Sequence, residues 1–142
     1  MRLTAKSEYG LLALIDLACR HGAGPISVRE ISERQGVPAN FLEQLLVSLR
    51  RAGIVTSVRG ARGGFELGKD PDAITVLDAV EALEGPLVPT LCSPDRECGR
   101  SHACAAAVVW ERAADGLRGV LQGTTLSDLA SAQTRLDAGK GA

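Results

Sequence analysis

The sequence predicts a mainly α-helical fold that carries one small β-hairpin. Aromatic residues make up only 3% of the 142 residues, so the core has to be aliphatic, which favours packed helices over a sheet sandwich. Apolar residues recur at the three- and four-residue spacing of helices through most of the chain. A glycine-rich stretch at residues 60–64 separates two short segments with the composition of strands.

The first helix is expected from Thr4 to about Cys19. The run "HGAGP" ends it, because glycine and proline terminate helices. Free cysteine behaves as a small hydrophobe, so Cys19 is expected in the core. The residues of the apolar face are Leu11, Leu12, Ile15, Ala18 and Cys19.

This first helix is not expected to be a signal peptide or a membrane span. Glu8 and Asp16 interrupt its apolar face, and no apolar run in the chain approaches the roughly 20 residues that a bilayer requires. The composition, 45% hydrophobic and 23% charged, is that of a soluble globular protein. We therefore expect a cytoplasmic protein without membrane association.

Two further helices follow, joined by a tight turn. Ser27 and Glu30 predict a capping box, in which each side chain satisfies the other's backbone N–H. Gly36 predicts a left-handed C-cap, and Pro38 fits the first turn of the next helix. Two helices across a short glycine-containing turn predict a helix-turn-helix. The apolar face of the second of them consists of Leu42, Leu45, Leu46 and Leu49.

The segment "GIVTSVRGARGGFELGKD" predicts a hairpin. Its first strand is rich in β-branched residues, and Phe65 and Leu67 alternate in the second. The glycines between them permit a tight reversal, from which Arg59 and Arg62 project. A hairpin directly after a helix-turn-helix is a wing, so residues 1–85 are expected to form a winged helix-turn-helix domain.

The remainder is expected to hold three more helices. Thr75 and Asp78 predict a capping box that begins a fourth helix, which closes the domain of residues 1–85. Residues 86–104 lack periodicity and form a cysteine loop. A long helix and a short terminal one are expected over 105–130, and 131–142 is expected to be a flexible tail.

Positive charge is concentrated in the first half of the chain. Residues 1–69 contain ten Lys or Arg against six Asp or Glu, a net charge of +4. The remainder contains six against eleven, a net charge of −5. The basic half is therefore the natural candidate for a polyanion partner. Chance segregation of surface charge is the alternative.

The helix-turn-helix predicts binding to double-stranded DNA, because its second helix enters the major groove with its N-terminal residues on base edges. The wing's Arg59 and Arg62 suit the minor groove. A protein contact made by the same fold is the rival. The expected base contacts are Asn40, Phe41, Glu43 and Gln44. The expected phosphate contacts are Arg2, Lys6, Arg50 and Arg51.

One such helix reads only a few base pairs, so we expect a homodimer on a palindromic operator. The long helix after residue 104 carries more apolar surface than the small domain needs, and it is the expected dimerisation helix. Packing within one chain is the alternative. The residues concerned are Trp110, Leu117, Val120 and Leu121.

Three thiols, Cys92, Cys98 and Cys104, follow one another with five residues in each gap. Disulfides are not expected in a reducing cytoplasm, and structural zinc prefers shorter gaps, although His102 offers a Cys3His set. A thiol redox switch and an iron–sulfur cluster remain open, and the longer gaps suit a cluster. A fourth ligand would come from Asp95, Glu97 or His102 in the loop, or from Glu8 of a partner subunit.

The stretches "MRLTAKSEYGLLALIDLA", "ISERQGVPANFLEQLLVSLRRAGIV" and "SVRGARGGFELGKD", together with the cysteine loop, resemble the Rrf2 family of winged-helix transcriptional regulators. The resemblance runs from Met1 to about Leu129. It implies a homodimer paired through the long helix, with one iron–sulfur cluster per subunit that alters the fit of the recognition helices to DNA. It also implies that the three cysteines of the loop are cluster ligands.

The resemblance bears on the fourth ligand as well. The cluster-assembly regulators of the family carry a histidine where this chain has Ala107, whereas its nitric-oxide sensors use an acidic residue that aligns with Glu8. Glu8, acting across the dimer, is therefore the expected fourth ligand. The expected cofactor is [2Fe–2S], with [4Fe–4S] as the alternative. The signal is open among iron supply, oxygen, nitric oxide and thiol redox.

An enzyme is not expected. The chain holds no Ser/His/Asp or Cys/His nucleophile set, and "GARGG" lies in a hairpin rather than before a helix, so it is not a phosphate-binding loop. The rivals from other classes are a thiol-based accessory enzyme and a cluster-free protein-interaction module.

Overall fold

The computed structural model describes residues 3–88, 98 and 103–140. Within them it has the expected mainly helical architecture with one two-stranded antiparallel hairpin. A short 3-10 helix, Pro71–Ala73, follows the hairpin. The helices are α1 (Ala5–Cys19), α2 (Val28–Gln35), α3 (Ala39–Arg51), α4 (Val76–Glu84), α5 (Ala105–Gln122) and α6 (Leu126–Lys140), and the strands are β1 (Val55–Val58) and β2 (Gly64–Leu67).

The helix ends follow the local signals in the sequence. Ser27 and Glu30 form the expected capping box on α2, as do Thr75 and Asp78 on α4. Gly36 has the left-handed φ of 67° that lets α2 end in a single residue before the turn to α3. These caps fix where the helix-turn-helix begins and turns.

The main core lies between α1, α2, α3 and the base of the hairpin, and α4 and α6 contribute Ala79, Leu83 and Leu126 to it. The four leucines of α3 are all buried, at 0–3% exposure, so this helix is held along its whole inner face. Ile31 of α2 and Leu14 of α1 are fully buried beside them. The outer face of α3 is therefore fixed in direction relative to the domain.

The wing is tied to the loop between α1 and α2. Ile26 exchanges two backbone hydrogen bonds with Phe65 of β2, at 2.9 and 2.8 Å. Gly64 makes this approach possible: its φ is 157°, and a Cβ there would lie 2.3 Å from the carbonyl oxygen of Ile26. A larger residue would push the wing away from α2.

A second, smaller core joins α4 to α5 and α6. Leu87 is 1% exposed in it, and Leu117 and Leu121 of α5 pack against it. Backbone hydrogen bonds from Val76 to Thr124 and from Leu126 to Ile74, both 2.9 Å, connect the starts of α4 and α6. No helix in the described part of the chain is long and apolar enough to cross a bilayer.

The end of the chain and Cys19 differ from what the sequence predicts. The chain beyond residue 130 is not an irregular tail, because α6 continues to Lys140, supported by hydrogen bonds from Thr134 to Ala130 and from Gln133 to Asp137. Cys19 is not a core residue: it is exposed, because Leu17 and Ala18 take the inward positions at this end of α1.

Candidate nucleic-acid interface and cysteine site

The outer face of α3 presents the polar side chains that the sequence suggested. Asn40, Glu43 and Gln44 are exposed on the side opposite the buried leucines. Phe41 differs from this expectation, because it is half-buried and packs edge-to-face on Tyr9, with ring centroids 5.7 Å apart. Its ring stabilises the contact between α1 and α3, which leaves three polar residues as the free surface at the start of the helix.

A buried carboxylate fixes the end of α2 to α1. The side chain of Asp16 is fully buried. Arg34 donates to both of its oxygens, at 3.0 and 2.8 Å, and this raises the pKa of Arg34 above its ordinary value. Gln35 and Arg20 donate to Oδ1 at 3.1 and 2.9 Å. We call these four residues the Asp16 clamp.

The Asp16 clamp holds the last turn of α2, which is followed directly by the turn into α3. The hydroxyl of Ser32 also donates to the carbonyl oxygen of Val37 at 2.6 Å within that turn. Sequence reasoning missed this arrangement, since Asp16 was considered only as an interruption of an apolar face. An acidic residue at a position of α1 that faces the core was the available signal.

The basic residues of the interface lie at three places around α3. Arg59 and Arg62 are exposed at the tip of the wing, and Arg50 and Arg51 are exposed at the end of α3. Arg50 is near the wing, since its Nη1 lies 3.5 Å from Ser57 Oγ. Lys6 is exposed in the first turn of α1, whereas the expected contact Arg2 lies outside the described residues.

The start of α1 is held by a carboxylate from α4. Glu84 accepts hydrogen bonds from the backbone N–H of Thr4 at 2.8 Å, from its hydroxyl at 2.5 Å and from the Ser7 hydroxyl at 3.0 Å. Burial pushes the pKa of Glu84 upward, but these hydrogen bonds outweigh it and hold the pKa below its usual value. The exposed residues Lys6 and Glu8 are thereby positioned on a fixed helical turn.

The structure describes two of the three loop cysteines. Cys98 is exposed and Cys104 is half-buried. Cys104 is the N-cap residue of α5; no side chain caps this helix, and no acidic residue lies in its first turn. Cys92 lies outside the described residues, as do Asp95, Glu97 and His102. Among the residues that are described, no three His, Cys, Asp or Glu side chains form a metal site.

The donor set of this loop nevertheless fits an anionic iron–sulfur cluster. Both described thiols are free, and thiolates are the usual ligands of such clusters. The uncompensated N-terminus of α5 carries partial positive charge, which stabilises negative charge at Cys104.

Several large apolar side chains of α5 are exposed. Leu117 and Leu121 pack within the chain, so the surface left over differs in part from the expected one. It consists of Val108, Val109, Trp110 and Val120, whose exposed fractions are 49–68%. Four large exposed apolar side chains on a single helix are typical of a surface that contacts another protein.

The chain matches the family model named Rrf2, described as an iron-dependent transcriptional regulator, over residues 3–132. The HTH-type transcriptional regulator CymR of Bacillus subtilis is 43% identical over 131 residues, which cover 92% of this chain and 91% of that protein. The HTH-type transcriptional regulator IscR of Escherichia coli is 39% identical over 137 residues, covering 96% and 85%.

Solved structures of the same two kinds of protein have this fold. The structure of CymR, the global cysteine regulator of B. subtilis, superposes with a TM-score of 0.79 and covers 92% of this chain and 97% of that one. IscR of T. potens superposes with a TM-score of 0.77 at 37% identity, covering 94% and 88%.

Proposed function

Because the chain belongs to the Rrf2 family of transcriptional regulators, we propose that it is a cytoplasmic homodimeric repressor or dual regulator whose operator binding depends on an iron–sulfur cluster. The relatives that it matches are transcriptional regulators rather than enzymes. The observation that carries the proposal is the C-x5-C-x5-C spacing, which lies between a winged helix-turn-helix and an apolar helix.

In this proposal α3 reads the major groove. Asn40 and Gln44 make bidentate contacts to adenine, and Glu43 accepts from cytosine while repelling phosphate at poorly matched sites. The wing's Arg59 and Arg62 enter the minor groove. The exposure of all five side chains supports these roles. Lys6, Arg50 and Arg51, with Arg2, contact phosphates and supply affinity without sequence information.

Two copies pair through α5 in this proposal. The exposed apolar side chains of that helix support pairing, since burying them against a second copy would remove hydrophobic surface from water. Pairing places two recognition helices on a palindrome, as a helix-turn-helix of this size requires.

Cys92, Cys98 and Cys104 would hold the cluster, [2Fe–2S] in preference to [4Fe–4S]. When bound, such a cluster supplies a redox-active centre. Cys104 is the N-cap of α5, so binding of a cluster to its thiol would act on the first turn of the helix that pairs the subunits. A rearrangement at Cys104 would thereby change how the two recognition helices sit relative to each other.

Glu8 of the partner subunit would complete the ligand set. Its carboxylate is exposed and lies one residue beyond Ser7, which is anchored to Glu84. Spectra and cluster loading of Glu8→Ala compared with His102→Ala test this assignment. The Glu8 variant should lose cluster or change its spectrum; an unchanged Glu8 variant would remove Glu8 from the ligand set.

A cluster-free regulator that uses the thiols directly, or through a protein partner, is the second candidate. The similarity to CymR, described as a global cysteine regulator, favours this candidate. The identities of 43% to CymR and 39% to IscR are too close to decide between the two kinds of relative.

The experiment that separates the candidates is anaerobic purification of wild type, Cys98→Ala and Cys19→Ala, followed by absorption spectra and iron and zinc analysis. Cys19→Ala is the matched control, because Cys19 is also an exposed thiol but lies on α1. If the loop binds a cluster, wild type and Cys19→Ala should be coloured. The Cys98→Ala protein should fold but be colourless. A colourless wild type, or one that holds zinc, would favour the alternatives.

A further inference from the structure

A polar cleft lies between α1, α2 and α6, on the side of the Asp16 clamp. Its volume is about 590 Å³, within the usual range of small-molecule sites. Among the side chains that line it are Arg20, Arg34, Gln35, Gln133, Asp137 and Lys140. The extension of α6 beyond residue 130 forms one wall, so the cleft depends on the part of the chain that the sequence did not predict to be helical.

The floor of the cleft has more positive than negative charge. Two guanidinium groups, those of Arg20 and Arg34, share the single carboxylate of Asp16. No other carboxylate in residues 3–88 or 103–140 lies within 4.0 Å of either group. The charged lining consists of three cations, Arg20, Arg34 and Lys140, and two carboxylates, Asp16 and Asp137, which leaves a net charge of +1. Glu30 does not line the cleft but interacts electrostatically with Arg34.

Hydrogen-bond donors also remain unused. A guanidinium has five N–H donors. Arg20 donates through Nη1 alone, and Arg34 through Nε and Nη2, so the Nε–Nη2 edge of Arg20 and the Nη1 group of Arg34 donate to no acceptor in the described part of the chain. The Nε–Nη2 edge is a geometry that binds a carboxylate or phosphate with two parallel hydrogen bonds.

The other charged side chains that line the cleft do not accept hydrogen bonds from these free N–H groups. The Oδ1 of Asp137 accepts from Gln133 on the same helix at 2.9 Å. Lys140 Nζ lies 4.0 Å from that oxygen, at the outer limit of an ion pair, and its side chain is 79% exposed. Lys140 is thus a third cation at the rim that can turn toward an anion.

We propose that this cleft binds a small anionic metabolite whose carboxylate or phosphate group contacts Arg20, Arg34 and Lys140. Because Arg34 also holds the last turn of α2, an occupant would bridge the helix-turn-helix and α6. None of the residues that line the cleft belongs to residues 86–104, and the proposal does not depend on a cluster.

Isothermal titration calorimetry of the purified protein tests the proposal. Succinate and inorganic phosphate are titrated separately at constant ionic strength, which distinguishes the two anion chemistries. Saturable millimolar or tighter binding of at least one probe is expected. Arg20→Gln should raise its Kd about tenfold, because a charge-assisted bidentate contact is lost. Lys140→Gln, which leaves the Asp16 clamp intact, should raise the Kd by a smaller factor.

The control is Arg29→Gln, which removes an equal charge from α2 at an exposed ion pair with Glu33 that does not line the cleft. It should bind like wild type. Absence of saturable binding of both probes to wild type would overturn the proposal, and so would an unchanged Kd in both Arg20→Gln and Lys140→Gln. Equal weakening by Arg29→Gln would overturn it too, because it would show diffuse surface charge rather than a site.

Discussion

At the scale of single residues, α3 divides its side chains between holding the helix and reaching outward. Leu42, Leu46 and Leu49 are completely buried, while Asn40 and Gln44 are exposed on the opposite side. Helical periodicity predicted this division. The exception is a large aromatic residue: the ring of Phe41 gains more from packing on Tyr9 than from exposure, a tertiary contact that periodicity does not reveal.

Replacing Gln44 by Ala should cost about 1–3 kcal/mol of binding free energy at one base position and relax the preference there. The reason is loss of a bidentate contact to a single base edge. Fluorescence anisotropy on an operator and on variants substituted at each position measures it. Gln122→Ala, which removes an exposed glutamine from α5, is the control. Equal weakening on all sequences would mean that Gln44 contacts phosphate instead.

At the scale of elements, the sequence predicted features that depend on neighbouring residues better than contacts between residues far apart in the chain. The capping boxes of α2 and α4, the left-handed Gly36 and the hairpin depend on residues close together in the chain, and the structure has all of them. The Asp16 clamp joins residues 18 and 19 positions apart, and the Glu84 contact spans 80. No periodic pattern encodes such pairs, so the sequence could not predict how α1 is fixed to α2 and α4.

Asp16→Asn should lower the free energy of unfolding by about 1.5–3 kcal/mol, because the mutation weakens charge-assisted hydrogen bonds at a buried site. Urea denaturation at neutral pH measures the change. Glu33→Gln is the matched control, since it removes a carboxylate from an exposed pair on α2 and should change stability by less than about 1 kcal/mol. Equal effects of the two variants would contradict a structural role for the Asp16 clamp.

Glu84 should make the fold sensitive to acid. Its folded pKa lies below the usual value, so its stabilisation is present above the ordinary carboxyl pKa of about 4.3 and is lost as pH falls through the lower folded pKa. The stability advantage of wild type over Glu84→Gln should therefore shrink from about pH 6 to about pH 3. Urea denaturation across that range measures it, with the exposed Glu81→Gln as control. A pH-independent difference would contradict this account.

At the scale of the whole molecule, the basic half and the apolar helix occupy separate parts of the fold. The exposed cations of α1, α3 and the wing belong to residues 1–69, which carry a net charge of +4. The exposed apolar side chains Val108, Val109, Trp110 and Val120 belong to α5, which packs on the second core through Leu117 and Leu121. Composition alone predicted that α5 has surplus apolar surface, but which residues are left over depends on how Leu117 and Leu121 pack.

Trp110→Ser should weaken the dimer, because it removes the largest of the exposed apolar side chains of α5. Sedimentation equilibrium should show a substantially raised dimer dissociation constant, and operator affinity should fall with it. Leu136→Ser is the matched control, since Leu136 is 63% exposed on α6. A dimer that is unaffected by Trp110→Ser but weakened by Leu136→Ser would place the interface on α6.

The central claim is that three thiols of one short loop bind an iron–sulfur cluster in a dimeric transcriptional regulator. Native mass spectrometry of protein purified and sprayed without oxygen tests it most directly, because one spectrum reports both subunit number and bound mass. We expect a dimer with one cluster per subunit. A dimer that carries neither iron nor sulfide, from cells supplied with both, would contradict it.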